Sequence, residues 1–319
     1  MHFLHRYVNL GFFGMRHLTH LKYIDVVARE GSIRKAAEKL NITSTALNRR
    51  ILSLEEEVGT SLFERLPSGV RLNTAGELFI QHIRYQMTDL SRVLSQIADL
   101  SGIRRGHVKL GAGQELVASF LPEQIGLYRK QFNSVSFEIA TANPSDSLRA
   151  LREFEIDIAI LFDAVMPSDV QIVATVEQRV HAFMHKSHPL AKKNSLRLQD
   201  CLNTKIMLPQ ANGGLRTLLD VAELQANLQL EEALTADDFN MLINYAAHEA
   251  IIGFHIPLGF LQSGGVPEGL VFIPLDERDV GTGLVHLVQA KGRVLPVAAA
   301  KFLDQLLQSI NERFPEETR

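Results

Sequence analysis

The sequence predicts an α/β protein whose first part is a small helical module with a β-ribbon, followed by one long helix and a larger domain of α/β lobes. Three observations carry this reading. Two short helical stretches meet at Asn41 and are followed by two strand-like runs in "LFERLPSGVRLN" (62–73). A seven-residue apolar repeat then extends from Ile80 to Ile97. From residue 106 onward, β-branched runs alternate with amphipathic helical stretches.

The length of 319 residues leaves room for two domains, one of them able to hold an inserted lobe. Hydrophobic content of 46% and charged content of 22% are ordinary for a globular chain. The net charge of -3 excludes no partner, because a small basic module can sit inside a mildly acidic whole. Cys201 is the single cysteine, so no intrachain disulfide forms, and a reducing cytoplasm is the expected location. No apolar run is long enough to predict a membrane span. The organised sequence begins at Met15, which makes residues 1–14 either an extension or residues ahead of the true start.

Residues 17–30 place Leu18, Leu21, Ile24, Val27 and Ala28 at helical spacing. Gly31 breaks that helix and Ser32 is placed to cap the next. Ala36 and Ala37 permit close helix approach, Leu40 faces inward, and Asn41 tolerates the positive φ of a tight turn. Ile42, Ala46, Leu47, Ile51 and Leu54 continue the buried stripe until Gly59 stops the second helix. A short helix, a tight turn and a second helix with this inward set form a helix-turn-helix. Thr43, Ser44, Thr45, Asn48 and Arg49 then lie near the end that meets base edges in a major groove. Arg50 stands either with them or to the side. The two strands about Pro67-Ser68-Gly69 form a wing carrying Arg65 and Arg71, which with Arg34 suit backbone or minor-groove contacts. Residues 15–73 hold ten Lys/Arg against seven Asp/Glu, so the useful positive charge is local.

From Thr74, read as an N-cap, a helix is expected to run to about Ser101. Ile80, Met87 and Leu94 are seven apart, as are Ile83, Leu90 and Ile97, and together they predict a dimerisation seam. The expected divisions are 15–73 for DNA binding, 74–105 for the linker helix and hinge, and 106–319 for a further domain. In that domain the strands "HVKLGAG", "VSFEIA", "IDIAILF", "RVHAFMH", "TKIMLP" and "VHLVQA" alternate with helices, which predicts largely parallel sheets.

The ordered set Ala36-Ala37, Leu40, Ala46-Leu47, Ile51, Leu54-Glu55, Gly59, Leu62-Phe63-Glu64-Arg65 and Thr74-Ala75-Gly76 resembles the LysR-type transcriptional regulators. "FLPEQIGLYRKQF", "IDIAI", "HPLA" and "GFHIP" extend the likeness more weakly. The resemblance implies a winged helix-turn-helix and a C-terminal two-lobed effector domain similar to periplasmic solute-binding proteins. Lobe I is then expected over about 106–162 and 270–319, and lobe II over about 163–269. It further implies a homodimer or homotetramer on promoter DNA, switched by a small-molecule effector, with RNA polymerase as a further partner. Ser44-Thr45 stand where the family often has Gln-Pro and Asn48 replaces a usual Ser, so the operator is not inherited. His248 replaces a usual Gly and "QFNSVSF" lacks the family's usual proline, and these two departures bear on the ligand lobe, not the DNA module.

In such a domain the effector touches strand ends and the helix starts that follow. That places Gln114, Glu115, Thr141, Asn143, Ser145, Phe162, Gln210 and Asn212 at the expected cleft. A carboxylate at Glu115 disfavours a simple anion and favours an amine or hydroxyls, unless it only stabilises a first helical turn. His255 reads as a satisfied, semi-buried histidine. No enzyme, cofactor or metal site is expected. "HEAIIGFH" has Ile252 where a zinc-protease helix needs histidine, and "HKSHPLA" pairs His185 and His188 without a converging ligand. "GAGQEL" has Leu116 at the last glycine position of a dinucleotide loop, and neither a G-x-S-x-G nor a P-loop motif occurs. Two rivals stay open: an effector-independent DNA-binding regulator, and a ligand-binding module with a vestigial DNA-binding domain.

Overall fold

The computed structural model describes residues 16–100, 106–117, 120–211, 213–260 and 267–315. The expected extension over 1–14, residues 101–105 of the expected linker and hinge, and Asn212 lie outside the described residues. The chain divides into two compact units, the first ending at Val93 and the second beginning at Leu94.

The first unit holds α1 (Arg16–Glu30), α2 (Ile33–Leu40) and α3 (Ser44–Val58), the wing strands β1 (Phe63–Leu66) and β2 (Gly69–Leu72), and most of α4 (Thr74–Leu100). Ile24, Val27, Ala36, Ala37, Leu47 and Ile51 form its core. Local chemistry sets the helix ends. Ser32 Oγ accepts the Lys35 amide, Asn41 closes α2 at φ 55°, and Gly59 closes α3 at φ 80°. Glu55, the first acid of "EEE", accepts the amides of Leu62 at 2.7 Å and Phe63 at 3.1 Å, so it fixes the entry to the wing. At the wing tip Gly69 has φ +145°, and a Cβ there would stand 2.2 Å from the Gly31 carbonyl oxygen. Only glycine fits this close approach, which is completed by the Val70 amide donating to that oxygen at 2.9 Å.

Two expectations for α4 are corrected. Asn73, not Thr74, caps it: the Asn73 Oδ1 accepts the Gly76 amide at 2.8 Å. Ile80 and Ile83 do not belong to a free dimerisation seam, because both are buried in this unit's own core, with Met87 packed against them. An ion pair from Arg84 to Asp25 of α1, 2.7 Å long and largely buried, pins the same stretch of α4 to the helical module. Leu90 and Leu94 stay half-buried, and Leu78, Tyr85 and Ile97 are exposed.

The second unit contains β3 (Gly106–Ala112), α5 (Gln114–Val117), α6 (Phe120–Gln131), β4 (Val135–Thr141), α7 (Pro144–Arg152), β5 (Ile158–Phe162), β6 (Val170–Gln178), β7 (His181–His185), β8 (Lys205–Pro209), α8 (Gly214–Ala226), β9 (Glu231–Ala236), α9 (Phe239–Tyr245), β10 (Gly253–His255), α10 (Pro257–Phe260), β11 (Leu270–Pro274), β12 (Gly283–Ala290) and α11 (Val297–Arg313). The five-stranded sheet has the order β4-β3-β5-β12-β6, and a second lobe is built on β10-β7-β11 and on β8-β9. The sheets are mixed rather than largely parallel. In the larger one β12 runs antiparallel to both β5 and β6, and the β10-β7-β11 sheet is antiparallel throughout. Strand β6 therefore belongs to lobe I and β11 to lobe II, which corrects the expected lobe limits. The chain crosses after Gln178, not after Phe162, and returns beyond Leu275. The two crossings are tied together: Leu275 N donates to Val180 O at 2.9 Å and Arg179 Nε to Leu275 O at 2.6 Å.

Candidate functional site

Two regions gather the residues singled out by the sequence. At the start of α3, Thr43 is the N-cap, its Oγ1 accepting the Ala46 amide at 3.2 Å while its hydroxyl proton stays free to donate. Ser44, Thr45 and Arg49 are exposed beside it, and Arg49 holds no ion pair among the described residues. Arg50 points sideways. Its guanidinium stacks over Tyr23 of α1 at 4.6 Å, and one terminal nitrogen is buried without a hydrogen-bond partner among the described residues. Arg65 of the wing donates to Asn48 Oδ1 at 3.0 Å, a link from wing to recognition helix that neither segment announces alone. Arg71 pairs with Glu64 directly across the wing at 2.7 Å, and Arg34 with Glu38 one helical turn on at 3.2 Å. Both pairs are exposed, so solvent screens them and neither contributes much to stability.

The second region is a cavity of about 310 Å³ between the lobes. Gln114, Glu115, Thr141, Asn143 and Phe162 line it from lobe I and Gln210 from lobe II, as expected for residues following strand ends. Ser145 does not line it; it sits exposed on the first turn of α7. Its neighbour Asp146 does, held by Asn143 Nδ2 at 2.9 Å. Asp237 and Phe239, at the start of α9, complete the wall. Spacing marks α9 as a helix but carries no sign that it begins at the cleft, so these two escape a reading of the sequence. Gly214, at the start of α8, closes the cavity's base: a Cβ there would lie 2.1 Å from the Phe162 carbonyl oxygen of the other lobe.

Glu115 is buried, and desolvation holds its carboxyl above the usual range, with no cation beside it among the described residues to offset this. Its carboxylate folds back over Gly113, where a Cβ would collide with Oε1 at 2.4 Å. Behind it α10 packs close, since a Cβ on Gly259 would lie 2.0 Å from the Glu115 carbonyl oxygen and 2.2 Å from the His255 ring. His255 is fully buried, not semi-buried, and it is not satisfied. Nδ1 accepts the Ile256 amide at 2.8 Å, but Nε2 lacks a partner among the described residues, and burial pushes the imidazole down to about 3. His185 and His188 serve their own turn, bonding Ser187 Oγ at 2.6 Å and the Leu190 amide at 3.2 Å. Among the described residues no group of three or more His, Cys, Asp or Glu is placed to hold a metal ion, and no helix is long and apolar enough to cross a membrane. Burial pushes the Cys201 thiol up to about 12, so it stays protonated.

Known proteins share both regions. Residues 18–77 match the bacterial regulatory helix-turn-helix protein, lysR family, and residues 101–311 match the LysR substrate binding domain. The transcriptional dual regulator GltC of Bacillus subtilis (strain 168) is 29% identical over 91% of this chain and 96% of its own. The HTH-type transcriptional regulator AlsR of the same organism is 31% identical over 60% of this chain and 63% of its own. Among solved structures, a full-length OxyR variant from Pseudomonas aeruginosa superposes with a TM-score of 0.63 at 19% identity, covering 92% of this chain and 94% of that one. Full-length CbnR complexed with its target DNA gives a TM-score of 0.56 at 16% identity, covering 92% and 99%. These two show the shared fold. Matched through its helix-turn-helix and through nearly all of its second unit, the chain belongs to the LysR family of DNA-binding transcriptional regulators with an effector-binding domain.

Proposed function

We propose that this regulator holds operator DNA against the start of α3 and the wing, and that a small molecule in the interlobe cleft changes that hold. The observation that carries the reading is the cleft: a cavity of about 310 Å³ with walls from both lobes, in a chain that also presents an exposed recognition-helix start. Arg49 is free to take a guanine edge or a phosphate. Asn48 Oδ1 already receives Arg65, which leaves its Nδ2 hydrogens for the DNA. The amide then favours base edges rich in acceptors, such as guanine O6 and N7 or thymine O4, over two-point pairing with adenine. Thr43, Ser44, Thr45, Arg34 and Arg71 suit phosphates.

Closure of the lobes about the paired crossings at Val180 and Leu275 is the motion a bound effector would favour, provided it binds the closed form more tightly. The chain acts as a homodimer or homotetramer through α4, with Leu90, Leu94 and Ile97 of the expected seam, so that two or more recognition helices meet a partly palindromic operator. It works in the cytoplasm, beside RNA polymerase at the promoter.

The test is fluorescence anisotropy of the full-length protein on DNA from upstream of its own gene, across a salt series with random DNA as competitor. Competitor-resistant binding is expected, with log affinity falling by about 0.9 per log unit of salt for each phosphate neutralised. Arg49→Ala is expected to weaken it by about 10–100-fold. Equal, weak binding of the wild-type protein to every sequence, unchanged by that substitution, would count against the reading.

A further inference from the structure

The charge of the cleft names its ligand more closely than its shape does. Its lining, among the described residues, includes Glu115, Asp146 and Asp237 but no lysine, arginine or histidine. Ala118, Ser119 and Asn212, which lie next to lining residues in the sequence, carry no charge either. A recess beside it, lined by Gln114, Val117, Thr141, Asp237, Asp238, Phe239 and Asn240, adds another carboxylate and again no cation. Arg216, on the helix that begins at the cleft, is committed elsewhere, to Asp220 at 2.7 Å and Glu232 at 3.3 Å. An anionic ligand would therefore leave water to face carboxylates with no counter-charge among the described lining residues, which disfavours it.

Glu115 is the independent sign that something positive belongs there. Its residue is only 7% exposed, it lines the cavity, and its carboxylate receives only its own backbone amide among the described residues. Buried carboxylates in proteins are paired with a cation or hydrogen-bonded several times over. This one is neither, and it lies against the backbone of Gly113, where a Cβ would stand 2.4 Å from Oε1.

We propose that the effector is a small molecule bearing a protonated amine, which the Glu115 carboxylate receives at the inner wall of the cleft and to which Asp146 and Asp237 add attraction. This rests on the cleft being the effector site. Among the described residues no side chain caps the start of α8 at Gly213, so its amides are candidate donors to an oxygen of the same molecule. A simple amine and an amino acid both satisfy the requirement. They share the ammonium group and differ in whether that oxygen is a carboxylate.

Proton linkage follows. Burial raises the Glu115 carboxyl in the empty cleft, and a bound ammonium would lower it, so amine binding should release a proton and tighten as pH rises. The other titratable groups of the cleft are Asp146 of α7 and Asp237 before α9, and His255 lies across Gly259 of α10, where it stays neutral because burial pushes it down to about 3.

The experiment is a thermal-shift screen of the full-length protein followed by calorimetry. The probes are putrescine and ethanolamine as simple amines, L-lysine and L-serine as amino acids, benzoate and acetate as carboxylates, and erythritol as a neutral polyol. At least one amine-bearing probe is expected to raise the melting temperature, to bind more tightly as pH rises above the ordinary carboxylate range, and to lose about 30-fold in affinity in Glu115→Gln. Asp237→Asn should lose several-fold, which keeps the test open if Glu115→Gln fails to fold. Simple amines acting without amino acids would assign the α8 start to water or hydroxyl, and the reverse would assign it to carboxylate; either supports the proposal. Stabilisation by benzoate, acetate or erythritol alone would overturn the amine while leaving the cleft as an effector site. If no probe of any class shifted either the melting temperature or the DNA affinity, the amine and the effector-site reading would both fall.

Discussion

Asn48 and Arg65 show how one contact can change what a side chain reads. An unengaged asparagine offers DNA both an acceptor and donors, but here Oδ1 already takes a hydrogen from Arg65 at 3.0 Å. The wing thus sets which way the amide on the recognition helix faces. Arg65→Ala frees the amide to turn over, so selection from randomised DNA is expected to relax at one position of each half-site. Discrimination there should fall by about tenfold, against a smaller loss of overall affinity. A variant that selected the same bases as the wild type and bound all of them more weakly would reduce Arg65 to a phosphate contact. Arg50 carries the opposite lesson. Next to Arg49 in sequence, it is spent on Tyr23 and the packing between α1 and α3.

The linker helix divides its apolar repeat between two tasks. Ile83 is fully buried in the core of the helical unit, whereas Ile97, two heptads later, is 54% exposed. Ile83→Ala removes buried methyl groups from a small core and should cost about 2–5 kcal/mol, seen as early melting of that unit with loss of DNA binding. Ile97→Ala should leave that melting transition in place and act on self-association alone, read by analytical ultracentrifugation. Equal effects of the two substitutions on melting would mean that the heptad repeat is one continuous structural seam. At the head of the same helix, the Asn73 cap contributes about 1 kcal/mol through the Gly76 amide.

Taken together, the buried titratable groups give the protein's stability two opposed slopes with pH. His255 falls from an ordinary 6.5 to about 3 on folding, because its fully buried ring cannot be charged cheaply. Its contribution is complete above about 6.5 and is lost as pH falls from there toward 3. Burial lowers His181, His188 and His286 in the same sense. Glu115 acts in reverse: raised above its ordinary 4.5 in the fold, it supports the folded state fully below 4.5 and loses that support as pH rises through its folded value. The melting temperature is therefore expected to drop on acidification below about 6.5, less steeply in His255→Gln than in the wild type. Glu115→Gln should raise the ligand-free melting temperature at neutral pH and remove the decline toward higher pH. Parallel pH curves for both variants and the wild type would show that these two groups do not govern the second unit's stability.

Local chemistry was legible in the order of residues: the helix-turn-helix from its inward stripe, the turn at Asn41, the stop at Gly59, and the strand ends that carry Gln114, Glu115, Thr141, Asn143, Phe162 and Gln210. These features depend on residues a few positions apart, where spacing and backbone preference act alone. Long-range packing settled the rest. It placed β6 and β11 in their lobes, turned Ile80 and Ile83 inward, tied Asn48 to Arg65, and brought Asp237 and Phe239 to the cleft. Each of those outcomes depends on which distant surfaces bury one another, and a β-strand or an amphipathic helix carries the same periodic pattern whichever partner covers it.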